Sequence, residues 1–300
     1  MKNIILSLLI LTYALSSTAQ QYDLKLNLKK GQHYKQSMVT DMKLNQSVGG
    51  QEMTINTKMQ FEFTQSVKSI NAKGEFELEN EYSRIIVTMD VMGQNISYDS
   101  DKKDEPGTEV SKMLSGPFSK IIGKKFLVVL TPKGKVVEIK GFKQIIETLS
   151  KGSSDPNSKK MIEEMLDEHK LSSSFESSYH MFPENSVKVG ESWSQRNTIE
   201  TMFPVDIATT YTLKEVNNGV AKIIMTGDFT IKKDDYESKG LTMKINFSGK
   251  YNGFYDVDIN SGISNRVELN MPMTGTMELM GMEVPCTVNS TITTTNTLQN

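Results

Sequence analysis

Three hundred residues, 37% hydrophobic and 23% charged, hold enough apolar surface for one large domain or two ordinary ones, which excludes a mainly disordered chain. Lys and Arg number 34 against 36 Asp and Glu, and the net charge of -2 gives no field for gripping nucleic acid or an anionic membrane. One cysteine, Cys286, and three histidines far apart in sequence, His33, His169 and His180, exclude a disulfide framework and the usual zinc ligand sets.

Lys2 precedes an apolar run from Ile4 through Leu15, broken by Ser7 and Thr12 and followed by Ser16, Ser17, Thr18 and Ala19. About 12 residues are too few for the roughly 20 that span a bilayer as a helix, and small side chains at Ser17 and Ala19 suit a signal peptidase. The pattern predicts a signal peptide over residues 1–19, cleavage near Ala19, and a periplasmic or extracellular chain of residues 20–300 that forms a single domain. No cysteine near that site offers a lipid anchor, and no later segment is apolar enough to span a membrane. In an oxidising compartment a lone thiol is best buried, and Cys286 alternates with Val284 and Val288 on what should be an inward face.

From Met53 to Val67 apolar residues dominate the odd positions, including Met53, Ile55, Met59, Phe61 and Phe63, while the even positions are polar. Period two over this length predicts an antiparallel strand with one dry and one wet face. After the turn Asn71-Ala72-Lys73-Gly74 the pattern repeats with Phe76, Leu78 and Tyr82, then flips phase near Arg84 to Ile85, Val87, Met89 and Val91, which predicts a β-bulge. A hairpin over Phe126 to Ile139 turns at Pro132-Lys133-Gly134. The period then changes. Phe142, Ile145, Ile146 and Leu149 fall at helical spacing up to Gly152, and a second helix opens at Asp155-Pro156 and aligns Met161, Ile162, Met165 and Leu166. Phe175, Tyr179 and Phe182 suggest a further turn or two, and a weaker helix is expected over Glu109 to Ile122.

The second half returns to strands over Val205 to Leu213, Ala221 to Ile231, Leu241 to Ile259, Asn265 to Met277 and Val284 to Ile292, joined by turns such as Asn217-Asn218-Gly219 and Asn260-Ser261-Gly262. The segment from Leu241 to Ile259 would extend about 63 Å at roughly 3.3 Å per residue, so it must curve, and Gly249 and Gly253 on its apolar phase are where bending is tolerated. Gly31-Gln32-His33-Tyr34-Lys35-Gln36 is echoed by Gly190-Glu191-Ser192-Trp193-Ser194-Gln195, which makes residues 22–139 and 187–298 candidates for duplicated halves around a helical segment over 141–182. Together these patterns predict an α+β fold: a large curved antiparallel sheet, half-barrel-like, of about ten long strands, with the helical segment packed on its concave face.

Catalytic motifs such as G-x-S-x-G, H-E-x-x-H, the Walker A loop and G-x-G-x-x-G are absent, so no catalytic residues, metal ligands or cofactors are assigned and the chain is read as non-enzymatic. Glu75, Glu77, Glu79 and Glu81 read as one solvated strand face, and Glu163, Glu164, Asp167, Glu168 and His169 as the wet side of one helix. Asp99, Asp101, Asp104 and Glu105 lack the glycine and spacing of a calcium hand. Nineteen methionines, many on the apolar phase of strands, are either plain core packing or the lining of a cavity for a hydrophobic ligand.

The stretch Met181-Phe182-Pro183-Glu184-Asn185-Ser186-Val187-Lys188-Val189-Gly190-Glu191-Ser192-Trp193 resembles the P-x-x-x-V-x-V-G-[DE]-S-W segment of a family of secreted bacterial proteins of unknown function, common in the Bacteroidota. Leu26 to Tyr34 and Leu130 to Val136 are similar to that family too, and it implies no activity and no functional residues. In architecture the pattern resembles the open half-barrels of periplasmic lipoprotein carriers and mycobacterial lipid-binding lipoproteins, an analogy of fold alone. The expectation is a lipid-like or other hydrophobic small molecule held between sheet and helices by Met59, Phe61, Phe63, Met225, Phe247 and Tyr251 on strands and Ile146, Met161 and Met165 on helices. The alternative is a cell-envelope scaffold or adhesion protein with a solid core, meeting another envelope protein through its wet face or a strand edge.

Overall fold

The fifteen-residue alternation from Met53 to Val67 lies within one strand of 20 residues, Gln51–Ile70, in the computed structural model of the chain. The structure describes residues 20–91, 93–102, 118–151, 159, 167–199, 204–238, 241–279 and 281–299. In chain order the first-half strands are β1 (Gln21–Tyr22), β2 (His33–Val48), β3 (Gln51–Ile70), β4 (Phe76–Val91), β5 (Gln94–Asp99), β6 (Lys125–Leu130) and β7 (Val136–Lys140). Two helices follow, α1 (Phe142–Lys151) and α2 (Glu168–Tyr179). The second half holds β8 (Val187–Lys188), β9 (Ser192–Ile199), β10 (Val205–Asn217), β11 (Val220–Ser238), β12 (Leu241–Asp258), β13 (Ser264–Leu279) and β14 (Met282–Gln299).

Twelve strands form one antiparallel sheet in the order β7-β6-β4-β3-β2-β14-β13-β12-β11-β10-β9, with β5 beside the far half of β4, while β1 and β8 make a separate pair. Neighbours follow one another along the chain except at two places: β6 pairs with β4, past β5, and β2 and β14 pair in the middle from Gln46↔Cys286 to His33↔Gln299. Laid flat, the outermost strands of that path would stand roughly 48 Å apart at about 4.8 Å per strand. Yet α2, about 18 Å long at roughly 1.5 Å per residue, touches both β7 and β9. The sheet is therefore curled into a trough, and α2 bridges its two edges on the concave side, with α1 against β6.

The phase flip near Arg84 is a bulge at Ser83: Glu62 pairs with Arg84 but Phe63 pairs with Tyr82. The bend anticipated in β12 also has its glycines, and each faces a bulky side chain on the next strand: Gly253 faces Met225 and Gly249 faces Phe229. Gly227 faces Tyr251 in the same register, and Gly275 faces Phe247. The large side chain lies across the bare glycine, which keeps the concave face filled where the strand must curve.

Helix boundaries differ from the expectation. Asp167 does not continue a helix from Asp155; its carboxylate accepts from the backbone N–H of His169 and Lys170 and so starts α2 there, with Glu168 and His169 in its first turn. Phe182 falls beyond that helix, in the run leading to β8, where it is fully buried. Of the helix expected over 109–122, residues 118–121 are helical and 109–117 lie outside the described residues, as do the signal peptide over 1–19 and most of the helix expected from Asp155.

Both halves open on the same turn. Gly31 N–H donates to Val67 O (2.9 Å) and Val67 N–H to Gln32 O (2.9 Å); Gly190 N–H donates to Leu213 O (2.7 Å) and Leu213 N–H to Glu191 O (3.1 Å). Lys29 N–H donates to Gln32 Oε1 (2.7 Å) as Lys188 N–H donates to Glu191 Oε2 (2.9 Å). Gly31 and Gly190 have φ of 89° and 91°, where a side chain would be strained. The aromatic three positions on, Tyr34 or Trp193, then points into the core; Trp193 Nε1 donates to Met181 O (2.8 Å) and its ring stacks on Tyr211. The V-x-V-G-E-S-W segment is thus a determinant of the fold.

Buried tyrosines give the fold an alkaline limit. Loss of hydration pushes Tyr179 and Tyr211 up to about 12 and Tyr255 higher still, against an ordinary value of 10.0. Their neutral forms favour the folded state, so this contribution is complete below pH 10; the share of Tyr179 and Tyr211 is lost as pH rises from 10 through 12, and that of Tyr255 at still higher pH. In an alkaline titration followed at 295 nm, these tyrosines are expected to ionise together with cooperative loss of the near-UV circular dichroism, and not before it.

Candidate functional site

The concave face carries two separate cores. The larger gathers Leu78, Val128, Leu130, Leu213, Ile223 and Val257, all fully buried, under α1 and α2. The smaller, towards the other end of the strands, joins Ile245, Phe247, Cys286 and Val288 with Met42, Leu44, Met273 and Met277 packed against it. A buried network fastens α2 to the larger core: Tyr179 O–H donates to Gln65 Oε1 (2.9 Å), Gln65 Nε2 to Asn80 Oδ1 (2.9 Å), and Asn80 Nδ2 to Leu78 O (2.9 Å).

The larger core is closed by a device the alternation alone did not assign. Leu24, Leu26 and Leu28, 3%, 1% and 3% exposed, point inward from a strap that crosses the end of the trough. Leu26 N–H donates to Pro132 O (2.7 Å) in the β6–β7 turn, and Asn27 N–H to Ser261 O (2.8 Å) in the β12–β13 turn. Lys133 Nζ donates to Leu24 O (3.1 Å) and Pro183 O (2.8 Å), tying the strap to the helical segment.

Between the two cores the register sets out a floor of side chains, half-buried except for the buried Val87 and Thr57. One row across the sheet runs Leu269, Ile292, Thr40, Met59, Val87, and the next runs Met271, Ser290, Met42, Thr57, Met89. Met271, Ile292 and Met89 pack into neither core and keep partial exposure on the concave side. Flexible thioether side chains on a half-covered apolar face accept shapes that a close-packed core would not.

The residues singled out from sequence divide between these regions. Met59, Phe61 and Phe63 form one column of β3, half-buried, with Phe61 edge-on to Phe118 (6.1 Å) and Phe63 beside Tyr82 (5.8 Å). Ile146 packs against the larger core from α1. Met225 is 3% exposed within that core, and Phe247 is 7% exposed in the smaller one. Tyr251 is 5% exposed, its hydroxyl bonded to that of Thr209. Met161 and Met165 lie outside the described residues. Met38, Met42 and Met89, which share the concave face, become neighbours of this column only through strand register.

Other polar clusters are structural. Glu77 and Glu79 on the outer face pair with Lys140 and Lys125, and Ser69 also bonds Glu77. Asp99 ends β5 and binds the Arg84 guanidinium through both oxygens (3.1 and 2.8 Å), which holds its carboxyl below the ordinary range; Asp101 pairs with the same arginine. Among the described residues no group of three or more His, Cys, Asp or Glu is arranged to hold a metal ion. Cys286 is 3% exposed and burial pushes its thiol pKa up, so the lone thiol is buried and poorly reactive. A groove of about 480 Å³ over β9–β12 is lined by Ser194, Ala208, Thr210, Asp228, Lys250 and Tyr251 among others. Among the described residues no helix is long and apolar enough to cross a membrane.

No curated protein matches the chain. Among solved structures, the sheet is similar to one in lipovitellin, in a structure described by its lipid-protein interactions, at a TM-score of 0.51 and 8% identity over 91% of this chain. This chain spans 26% of the lipovitellin chain. An outer membrane channel from Pseudomonas putida F1 aligns over 91% of this chain and 97% of its own at 6% identity, but a TM-score of 0.24 marks no common fold. A family model described as "Family of unknown function (DUF6263)" matches residues 73–264, from the start of β4 through the helical segment to the start of β13, and the chain belongs to that family.

Proposed function

We infer that the protein is a non-enzymatic carrier or sensor that binds a lipid-like hydrophobic molecule between sheet and helical segment. The observation that carries this reading is the break between the two cores, where Met42, Met59, Met89, Met271 and Ile292 keep partial exposure on the concave face. An acyl chain laid there would cover apolar surface at about 25 cal/mol per Å² and meet flexible side chains able to adjust to it. Phe61, Phe63 and Ile146 would flank the chain, while Met225, Phe247 and Tyr251 support the wall from within the packing. The shared fold with lipovitellin, a protein described by its lipid-protein interactions, supports the reading without fixing the ligand. The leader over residues 1–19 would place this binding outside the cytoplasm.

The test is native mass spectrometry of residues 20–300 prepared without detergent, with lipid extraction of the same sample. A stoichiometric lipid is expected. Met271→Glu, which places a charge on the floor outside both cores, should weaken uptake of a fluorescent fatty acid at least about tenfold, equivalent to about 1.4 kcal/mol. A clean apo mass with no uptake of fatty acids or phospholipids would favour the envelope scaffold instead.

A further inference from the structure

We propose that Met42, Met59 and Met89 form a thioether site for a soft monovalent cation, copper(I) or silver(I), over Thr57. The register fixes the arrangement. Thr57 pairs directly with Met42 on one side and Met89 on the other, and Met59 lies two residues along the same strand face. Diagonal neighbours on a sheet face sit roughly 7–8 Å apart, so Met59 is that distance from each of the other two, and Met42 and Met89 stand about 10 Å apart across one strand. Three unbranched side chains of this length can bring their sulfurs together above the residue at the centre.

The central residue suits the role. Thr57 is small and 7% exposed, so it leaves room above itself yet lies beneath its neighbours, while all three methionines remain half-buried with partial access. The triangle also straddles the break between the cores, with Met42 packed on the smaller, Met59 on the larger and Met89 on neither. Thioethers are soft donors that select copper(I) and its congeners over zinc, calcium or magnesium. Their affinity needs no deprotonation, and in a chain with nineteen methionines and one buried cysteine they are the accessible sulfur.

This site does not depend on the lipid reading, and leucine tests the thioether itself, because Met→Leu keeps apolar volume and removes the sulfur. The experiment uses residues 20–300 carrying Cys286→Ala, so that no thiol competes, with silver nitrate in chloride-free buffer and methyl-labelled methionine. One silver ion per chain is expected by native mass spectrometry, with the methyl resonances of Met42, Met59 and Met89 shifting on addition. The triple variant M42L/M59L/M89L should lose that ion while its circular dichroism stays unchanged. No retained silver at equimolar addition, shifts confined to other methionines, or equal retention by the triple variant would each overturn the proposal.

Discussion

Leu26→Ala is expected to lower the unfolding free energy by about 2–5 kcal/mol, the cost of deleting a fully buried leucine when its surroundings cannot collapse. Leu26 is 1% exposed, and its own N–H and that of Asn27 are bonded to turns from the two halves of the sheet, which fixes the strap on both sides of the vacated space. Little relaxation is open to it, because the chain there is also held by Lys133 through Leu24 O and by close passage over Gly262, where even a Cβ would come within 2.1 Å of Lys25 O. Urea denaturation followed by Trp193 fluorescence measures the effect. Leu298→Ala, at a site 50% exposed, should stay within about 0.5 kcal/mol and serves as the control.

Gly253→Val should damage the sheet itself. A Cβ on Gly253 would stand 2.1 Å from Glu268 O and 2.8 Å from Met225 Cε. The methionine can move, but the carbonyl belongs to the neighbouring strand β13, so relief means parting β12 from β13. Overpacking of this kind costs typically about 1–3 kcal/mol, and more where backbone must shift, and the valine adds two methyl groups beyond the Cβ. A double-mutant cycle with Met225→Ala identifies the cause: removing the side chain should recover only part of the loss, because the clash with the carbonyl persists. Full recovery would show that the glycine serves the methionine and not the strand crossing.

Local features of this fold are written where a local rule applies. Alternation from Met53 to Val67 marks β3 because one face of that strand is dry, and the shift of phase near Arg84 marks the bulge because a single inserted residue moves every later side chain to the opposite face. The glycines of β12 are legible for the same reason: a strand so long must bend, and only a bare position on the inner face lets it. Pairings at long range leave no such mark. Nothing in Leu24-Lys25-Leu26-Asn27-Leu28 distinguishes a strap across the end of a trough from an ordinary strand, since both bury alternate residues. Met59 stands out as an inward methionine, but its grouping with Met42 and Met89 depends on the registers of β2 on β3 and of β3 on β4, and register is a property of pairs. The start of α2 was obscured because Asp167 lies within an apparently continuous acidic helical run, and only its bonds to His169 and Lys170 show that it caps a new helix.

The pairing of β2 with β14 joins residues 33–46 to residues 286–299, the first long strand made to the last. During synthesis β2 can recruit β3 at once, but its other edge waits until residues 286–299 are made. Contacts so remote in sequence place folding in the slow regime, milliseconds to seconds and beyond for a chain of this size. An open edge of sixteen residues is also a template for the wrong partner, including β2 of another copy. Completion of the trough is therefore a timing problem as much as a packing one, and a factor that shields β2 until β14 arrives would govern how much of the protein reaches its native form.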